Sequence, residues 1–591
     1  MSRGLSLLEE RFPQLCFLLS ILQGEPWIFC ERGKNAKRKG LNLYRAERLK
    51  EEISEKLGNL RLDEIEVLYI YGMGLGHYAT PLFDWLAQDV KRDLVFLEHD
   101  IEVLRLFLET KQSEALIKHP QIHFRFLLEP KNWKPFLEER ANEFPYEKAE
   151  FIALESYQKM HPRRIASMRL HLMRRTTVHH AIHMDEMFYH VLSKNVLANF
   201  SRIDQAFYAN KMGGAFKGIP AIICGAGPSL QDELEHLRKL EDQALIFAGG
   251  SAITGLSQAG ILPHFGVAID PNFEEVHRFR KSLAFEVPLL YTNRLHPEVF
   301  DTFNGPHGYI HAMTGGPLEL WWEKEIGIEP LPLQGGFDIE ALSVTTTCLE
   351  IATTMGCDPI ILVGVDLAFT GNSLYAAGIV NESKVSLKDR DQDMRAPERL
   401  LKRKDRQGKP IHTLVKWVME SEAIGNFAKK NPQTSYLNCT SGGIGFPGLP
   451  YQPLAQQSFS QSYDLRGKIH QLIETRRFSF TKPNPLEKVK DSLFDAQDIV
   501  AEALEELKRV QGRGKDPETG RMIFYQMELE EQLAFALCLQ QPALTFQKTY
   551  NRLHRFSIGE ATHDQKWHWL HSKWKSFNDL ITYYLESSFT K

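Results

Sequence analysis

No two of the seven cysteines form a short CxxC pair, and the set is scattered from Cys16 to Cys538. So dilute and odd a set excludes a disulfide scaffold and predicts a reducing compartment. Long apolar runs are missing as well: none approaches the roughly 18 consecutive residues that a membrane-spanning helix needs. Near the N-terminus Arg3, Glu9, Glu10 and Arg11 interrupt the one apolar run before it reaches signal-peptide length. A cytoplasmic protein without a membrane span is the expectation. Charge of one sign is scarce, because 71 basic residues meet 75 acidic ones for a net charge of −4. That balance gives no general pull towards nucleic acid. No GxxxxGK[ST] occurs, which excludes a P-loop mechanism.

Metal signals are equally thin. His179, His180 and His183 stand in HHAIH with no cysteine nearby, and Asp389, Asp391 and Asp393 alternate without the glycine and terminal glutamate of a calcium loop. No metal site is expected.

What is present is length. A chain of 591 residues exceeds what one core supports. Residues 1–60 read as a helical lead-in, with Leu5, Leu8, Phe12, Leu15 and Leu19 at spacings of three and four. Residues 61–130 read as a small Rossmann-like domain: strand Glu66–Tyr71, the turn Gly72-Met73-Gly74-Leu75-Gly76, a helix, and strand Leu94–Leu97 ending at Glu98. That is βαβ grammar, with Glu98 spaced to read a ribose, and it leaves open whether the turn binds a ligand. Residues 131–209 read as a helical connector, and 465–591 as a helical domain whose stripe Trp567, Trp569, Trp574, Phe577, Leu580 and Tyr583 suits a core or a homo-oligomer contact.

The most legible stretch is 210–455. Strand Ala221–Cys224 turns through Gly225-Ala226-Gly227-Pro228-Ser229-Leu230 into a charged helix. Glycines admit close backbone approach, the free amides opening a helix attract an anion, and Ser229 suits either a cap or a phosphate contact. Strand Ala244–Ala248 repeats the plan and delivers Gly249-Gly250-Ser251. Strands Phe265–Ile269 and Val287–Tyr291 deliver Asp270 and Asn293. In open α/β sheets such strand ends gather ligands. Ser343 and Thr345 open a further helix, and strand Pro359–Val363 leads to Asp366. These residues form the expected nucleotide site.

Taken in order, GAGPSL at 225–230, the Gly249–Ser251 turn, GILPHFGVAIDP at 260–271, the 343–356 helix, IILVGVDLAFTG at 360–371 and NCTSGG at 438–443 resemble the motility-associated flagellin glycosyltransferases. The core of that family is also known as a domain similar to archaeal 6-hydroxymethylpterin diphosphokinase. The resemblance implies an α/β fold: a Rossmann-like central domain similar to the metal-independent bacterial sialyltransferases, preceded by a smaller Rossmann-like domain and followed by a helical one. It implies a transferase that passes a nonulosonic, sialic-acid-like sugar from a CMP-activated donor to a protein Ser or Thr hydroxyl, with no cofactor. Two alternatives stand beside it, an ATP-dependent diphosphokinase acting on a pterin-like alcohol with Mg2+, held by Asp270 and Asp366, and a non-catalytic nucleotide-binding scaffold. The nucleotide would lie over Gly225, Gly227, Pro228 and Ser229, with Ser251, Asp270 and Asn293 around it and Ser343, Thr345 and Asp366 on the far side. His412 is the first candidate base and Tyr375 the second. The chain departs from the family pattern at His264, where an aspartate is usual, at Val365 for a glutamine, and at Tyr375 for a histidine.

Overall fold

The computed structural model describes residues 3–129, 133–135, 137, 149–312, 316–334, 336–337, 343–376, 400–480, 482–511, 516–518, 520–554 and 561–589. The Asp389–Asp393 alternation lies outside them. Chain contacts divide the protein into two units, Met1–His183 and Met184–Lys591.

The first unit is built on a four-stranded parallel sheet in the order Ile122–Phe126, Asp93–Glu98, Val67–Tyr71, Ala149–Ala153. Val67–Tyr71 is buried at every position, the pattern of a strand covered on both faces. Two expectations need correction. The stretch 1–60 is not helical throughout, because a three-stranded antiparallel sheet, Ile28–Cys30, Asn35–Arg38 and Leu41–Asn42, follows its first two helices. Buried Asn35 fixes that turn, its Oδ1 accepting from the amides of Ala36 and Tyr44 at 2.9 and 3.0 Å. The connector 131–209 likewise contains a strand, Ala149–Ala153, that completes the first sheet by pairing with Val67–Tyr71.

The second unit holds an eight-stranded sheet in the order Tyr436–Asn438, Ile360–Val363, Ala221–Cys224, Leu245–Gly249, Phe265–Ala268, Leu289–Tyr291, His307–Tyr309, Phe207–Tyr208. Every neighbouring pair is parallel. Side chains alternate between two cores, as a period of two requires. Ile222, Cys224, Ile246 and Ala248 enter one, and Ala221, Ile223, Leu245 and Phe247 the other. The C-terminal helices share the first of these cores, so Trp574 and Phe577 of helix His563–Ser588 are packed in the same cluster as Tyr291 and Trp322. Within the stripe, Trp569, Trp574 and Phe577 are core, with Leu580 and Tyr583 packed against it.

Strand order reverses beside Ala221–Cys224: the next four strands in sequence run off one side, while the later strand Ile360–Val363 lies on the other. The crevice above the carboxyl ends at such a reversal is where open α/β sheets bind ligands. No helix among the described residues is long and apolar enough to cross a membrane.

Candidate functional site

A cleft of about 150 Å³ opens over the C-terminal ends of the central strands, lined by Cys224–Ala226, Gly249–Ser251, Asp270, Glu275, Arg278, Val344, Thr345, Cys348 and Tyr375. Five residues expected from the sequence meet there: Gly225, Ser251, Asp270, Thr345 and Tyr375. Two walls are first helical turns, Ser251 beginning Ser251–Gln258 and Thr345 lying in the first turn of Val344–Thr354. Their amides present partial positive charge to the cleft.

The wall between these turns is tight. A Cβ on Gly249 would stand 1.7 Å from a methyl of Val344, so only glycine lets the strand end meet the helix start. Gly250 takes φ +46°, again a glycine conformation.

Glu275 and Arg278 are functional candidates that carry no motif in the sequence. They lie three apart on helix Phe273–Phe279, and NFEEVHRFRK reads as an ordinary charged surface. In the fold Arg278 stands 2.9 Å from Glu275 and 3.8 Å from Asp270. Glu275 is 1% exposed, and its Oε1 has no hydrogen-bond partner among the described residues. Burial, reinforced by the charge of Asp270, pushes its carboxyl up to about 7. One guanidinium thus faces two carboxylates at the cleft edge, and among the described lining residues it is the one cation.

The GAGPSL loop does something different from what its glycines suggested. Gly225 and Gly227 donate to the carbonyls of Val363 and Gly364, both at 2.8 Å. A Cβ at Gly225 would lie 2.5 Å from the Gly364 carbonyl, and one at Gly227 would lie 2.3 Å from the Asp366 carboxylate. These glycines admit the neighbouring strand's loop as well as any ligand. Ser229 neither caps helix Leu230–Arg238 nor faces the cleft; its Oγ donates to Asp366 at 2.5 Å. Asp366 is 2% exposed, burial raises its carboxyl above the ordinary range, and it ties the two loops at the strand-order reversal. Pro228 lies in the same turn, outside the cleft lining.

The remaining expected residues are placed as follows. Ser343 caps helix Val344–Thr354 in a reciprocal pair with Thr346 and donates to Glu420 at 2.6 Å. Asn293 is fully buried, and among the described residues neither of its amide atoms has a hydrogen-bond partner. His412 sits in the hairpin Leu400–Lys404 and Pro410–Leu414 opposite Lys402, outside the cleft lining. His264 is buried, accepts the Ile246 amide at 3.0 Å, and is driven down to about 3 by burial, which keeps it neutral.

In the first unit, the glycine turn is filled by its own protein. Glu98 accepts from the amides of Met73, His99 and Asp100 and from the Tyr157 hydroxyl at 2.7 Å. The Tyr157 ring lies 3.1 Å from where a Gly72 side chain would begin, and the Tyr44 hydroxyl blocks Gly74. The acid expected to read a ribose holds the turn from within.

Comparison with known proteins agrees with this architecture. Residues 194–372 match the model of the family described as 6-hydroxymethylpterin diphosphokinase MptE-like. The whole chain shares its fold with the MAf glycosyltransferase from Magnetospirillum magneticum AMB-1, at a TM-score of 0.50 and 15% identity, covering 100% of this chain and 96% of that one. The resemblance drawn from the motifs is thus borne out, as is the mixed α/β fold. An uncharacterized protein of Treponema pallidum (strain Nichols) is 42% identical over 53 residues, which span 9% of this chain and a quarter of that protein's length.

Proposed function

We propose that this protein is a glycosyltransferase that takes its sugar from a nucleotide-activated donor, a CMP-linked nonulosonic sugar, and passes it to a Ser or Thr hydroxyl of a protein acceptor. The observation that carries the reading is the cleft, in which two first helical turns and Arg278 converge where the strand order reverses, in a chain that shares its fold with a glycosyltransferase along its whole length. Such a cleft suits a phosphate that is itself the leaving group. Amides of the Gly250–Ser251 turn and the Arg278 guanidinium stabilise the charge that grows as the sugar departs, without reorganising. Tyr375, half-buried at the rim, is suited to a hydrogen bond with the donor. Asp366 acts by holding the loop.

The MptE-like match also supports a second reading, diphosphate transfer from ATP with magnesium. The residues fit that ion poorly. Asp366 is committed to Ser229 outside the cleft, Asp270 and Glu275 share Arg278, and the described residues contain no group of three or more His, Cys, Asp or Glu suited to a metal.

Calorimetric titration with CMP, CTP, CMP-sialic acid, ATP and GTP, each with magnesium and again with EDTA, separates these readings. Cytidine binding that survives EDTA is expected. Binding of ATP that needs magnesium moves the assignment to the diphosphokinase, and silence across the panel leaves a non-catalytic scaffold.

A further inference from the structure

Two strands beyond Asp270, the sheet carries a second polar cluster outside the cleft lining. Strand His307–Tyr309 runs parallel to Leu289–Tyr291 with Tyr309 beside Tyr291, and the pairing continues as the Ile310 amide donates to the Tyr291 carbonyl at 2.8 Å. By that register His311 follows at the carboxyl end of its strand as Asn293 follows at the end of the neighbouring one. The backbone of His311 is pinned on both sides, its amide donating to Asn210 Oδ1 and its carbonyl accepting from Asn210 Nδ2, each at 3.0 Å.

The imidazole is oriented as a base would be. Its Nδ1 lies 2.8 Å from Glu323 Oε1 on helix Gly316–Ile326, and that oxygen also accepts from the Tyr309 hydroxyl at 2.5 Å. His311 and Glu323 are 5% and 4% exposed. The Nε2 of His311 has no partner among the described residues. A carboxylate on Nδ1 fixes the tautomer that leaves Nε2 as the proton acceptor. Glu323, aided by Glu319 on the same helix, raises the affinity of the ring for a proton.

The neighbouring strand adds an independent sign. Asn293 is 0% exposed, and neither of its amide atoms is hydrogen-bonded among the described residues. The Tyr291 hydroxyl and the Oδ1 atoms of Asn195 and Asn199 are likewise buried and without a partner among the described residues. Buried polar groups are seldom left so. An amide and a hydroxyl, both neutral, match the hydroxyls or acylamino group of a sugar better than a phosphate. At about 4.8 Å per strand, His311 lies roughly 10 Å along the edge from Asp270, within reach of a sugar whose nucleotide occupies the cleft.

We propose that His311, oriented by Glu323, accepts the proton of the attacking hydroxyl, and that Asn293 beside it binds the transferred sugar. This rests on the glycosyltransferase reading. The acceptor O–H gives its proton to His311 Nε2 while its oxygen bonds to the anomeric carbon. The bond from that carbon to the donor phosphate oxygen breaks, and its electron pair leaves with CMP. The proton then passes to solvent.

The test follows CMP release from CMP-N-acetylneuraminic acid with a Ser/Thr-bearing peptide as acceptor, alongside CMP titration of each variant. His311→Gln is expected to keep its CMP affinity and its KM within a few fold while kcat falls by about 10²–10⁴, the span of general-base catalysis. Glu323→Gln is expected to move the acidic limb of the pH–rate profile to lower pH, a readout that a purely structural role would not shift and that serves if His311→Gln fails to fold. Turnover by His311→Gln at the wild-type rate, or an unmoved profile in Glu323→Gln, overturns the assignment. A wild-type protein that binds CMP but releases none from the donor overturns it while sparing the nucleotide site. Failure to bind CMP at all overturns the glycosyltransferase reading and the base with it.

Discussion

Asp366→Ala removes the tie between the two loops at the strand-order reversal. The carboxylate accepts from Ser229 Oγ at 2.5 Å and more weakly from the Ser229 amide at 3.4 Å. It sits in a slot that only glycine permits, since side chains begun at Gly227 and Gly442 would stand 2.3 and 2.5 Å from its oxygens. A hydrogen bond to an ionised group contributes about 1.5–3 kcal/mol, and the buried Ser229 hydroxyl is then left without a partner. Counting the short contact fully and the long one little, the loop loses about 3 kcal/mol of local stability, or roughly a hundredfold in its opening equilibrium. Amide hydrogen exchange over 225–238 reads that directly and needs no two-state unfolding of a two-unit chain. The pH dependence carries a sign. Because burial raises the carboxyl above 3.8, the contribution of Asp366 is largest at low pH and declines as pH rises through its folded value. Asp366→Asn should flatten that decline. Exchange in Asp366→Ala at the wild-type rate would refute the assignment of Asp366 as the tie.

Gly249→Ala drives a methyl into Val344, and a loss of about 1–3 kcal/mol is expected, with partial recovery in Gly249→Ala/Val344→Gly, checked by urea midpoints. Arg278→Met removes the cation of the cleft edge and should weaken CMP binding by about ten- to a hundredfold in a calorimetric titration. The wild type should lose stability relative to Glu275→Gln as pH rises from about 4.5 to about 7, because over that range the unfolded chain ionises Glu275 while the folded chain still holds the proton, and the difference levels off above about 7; thermal midpoints across pH check it.

The strands of the large sheet were legible because parallel strands buried on both faces leave short apolar runs ending in glycine, as at Ala221–Cys224 and Ile360–Val363. Phe207–Tyr208 was not, since two residues carry no period and its place at the sheet edge depends on a partner at His307–Tyr309. The same gap between local pattern and distant neighbour limits the site. Gly225 and Gly227 announce close approach, but the approaching group lies on a loop about 140 residues later. Glu98 has the spacing of a ribose reader until Tyr157, from another part of the chain, donates to it. Glu275 and Arg278 looked like surface because a charged pair three apart on a helix usually is; only the packing of their helix against the sheet ends turns them inward. His412 has only the basicity of an imidazole to recommend it from the sequence, and the fold places it on a hairpin outside the cleft lining. His311 follows the short strand His307–Tyr309, whose residues HGY carry no mark of the carboxylate partner twelve residues on.

A crystal structure grown with CMP tests most directly whether the cleft is the nucleotide site. The phosphate is expected against Gly250, Ser251 and Arg278, with the open end of the nucleotide directed past Asp270 towards Asn293. CMP bound elsewhere on the chain, or an empty cleft at saturating CMP, would contradict the assignment.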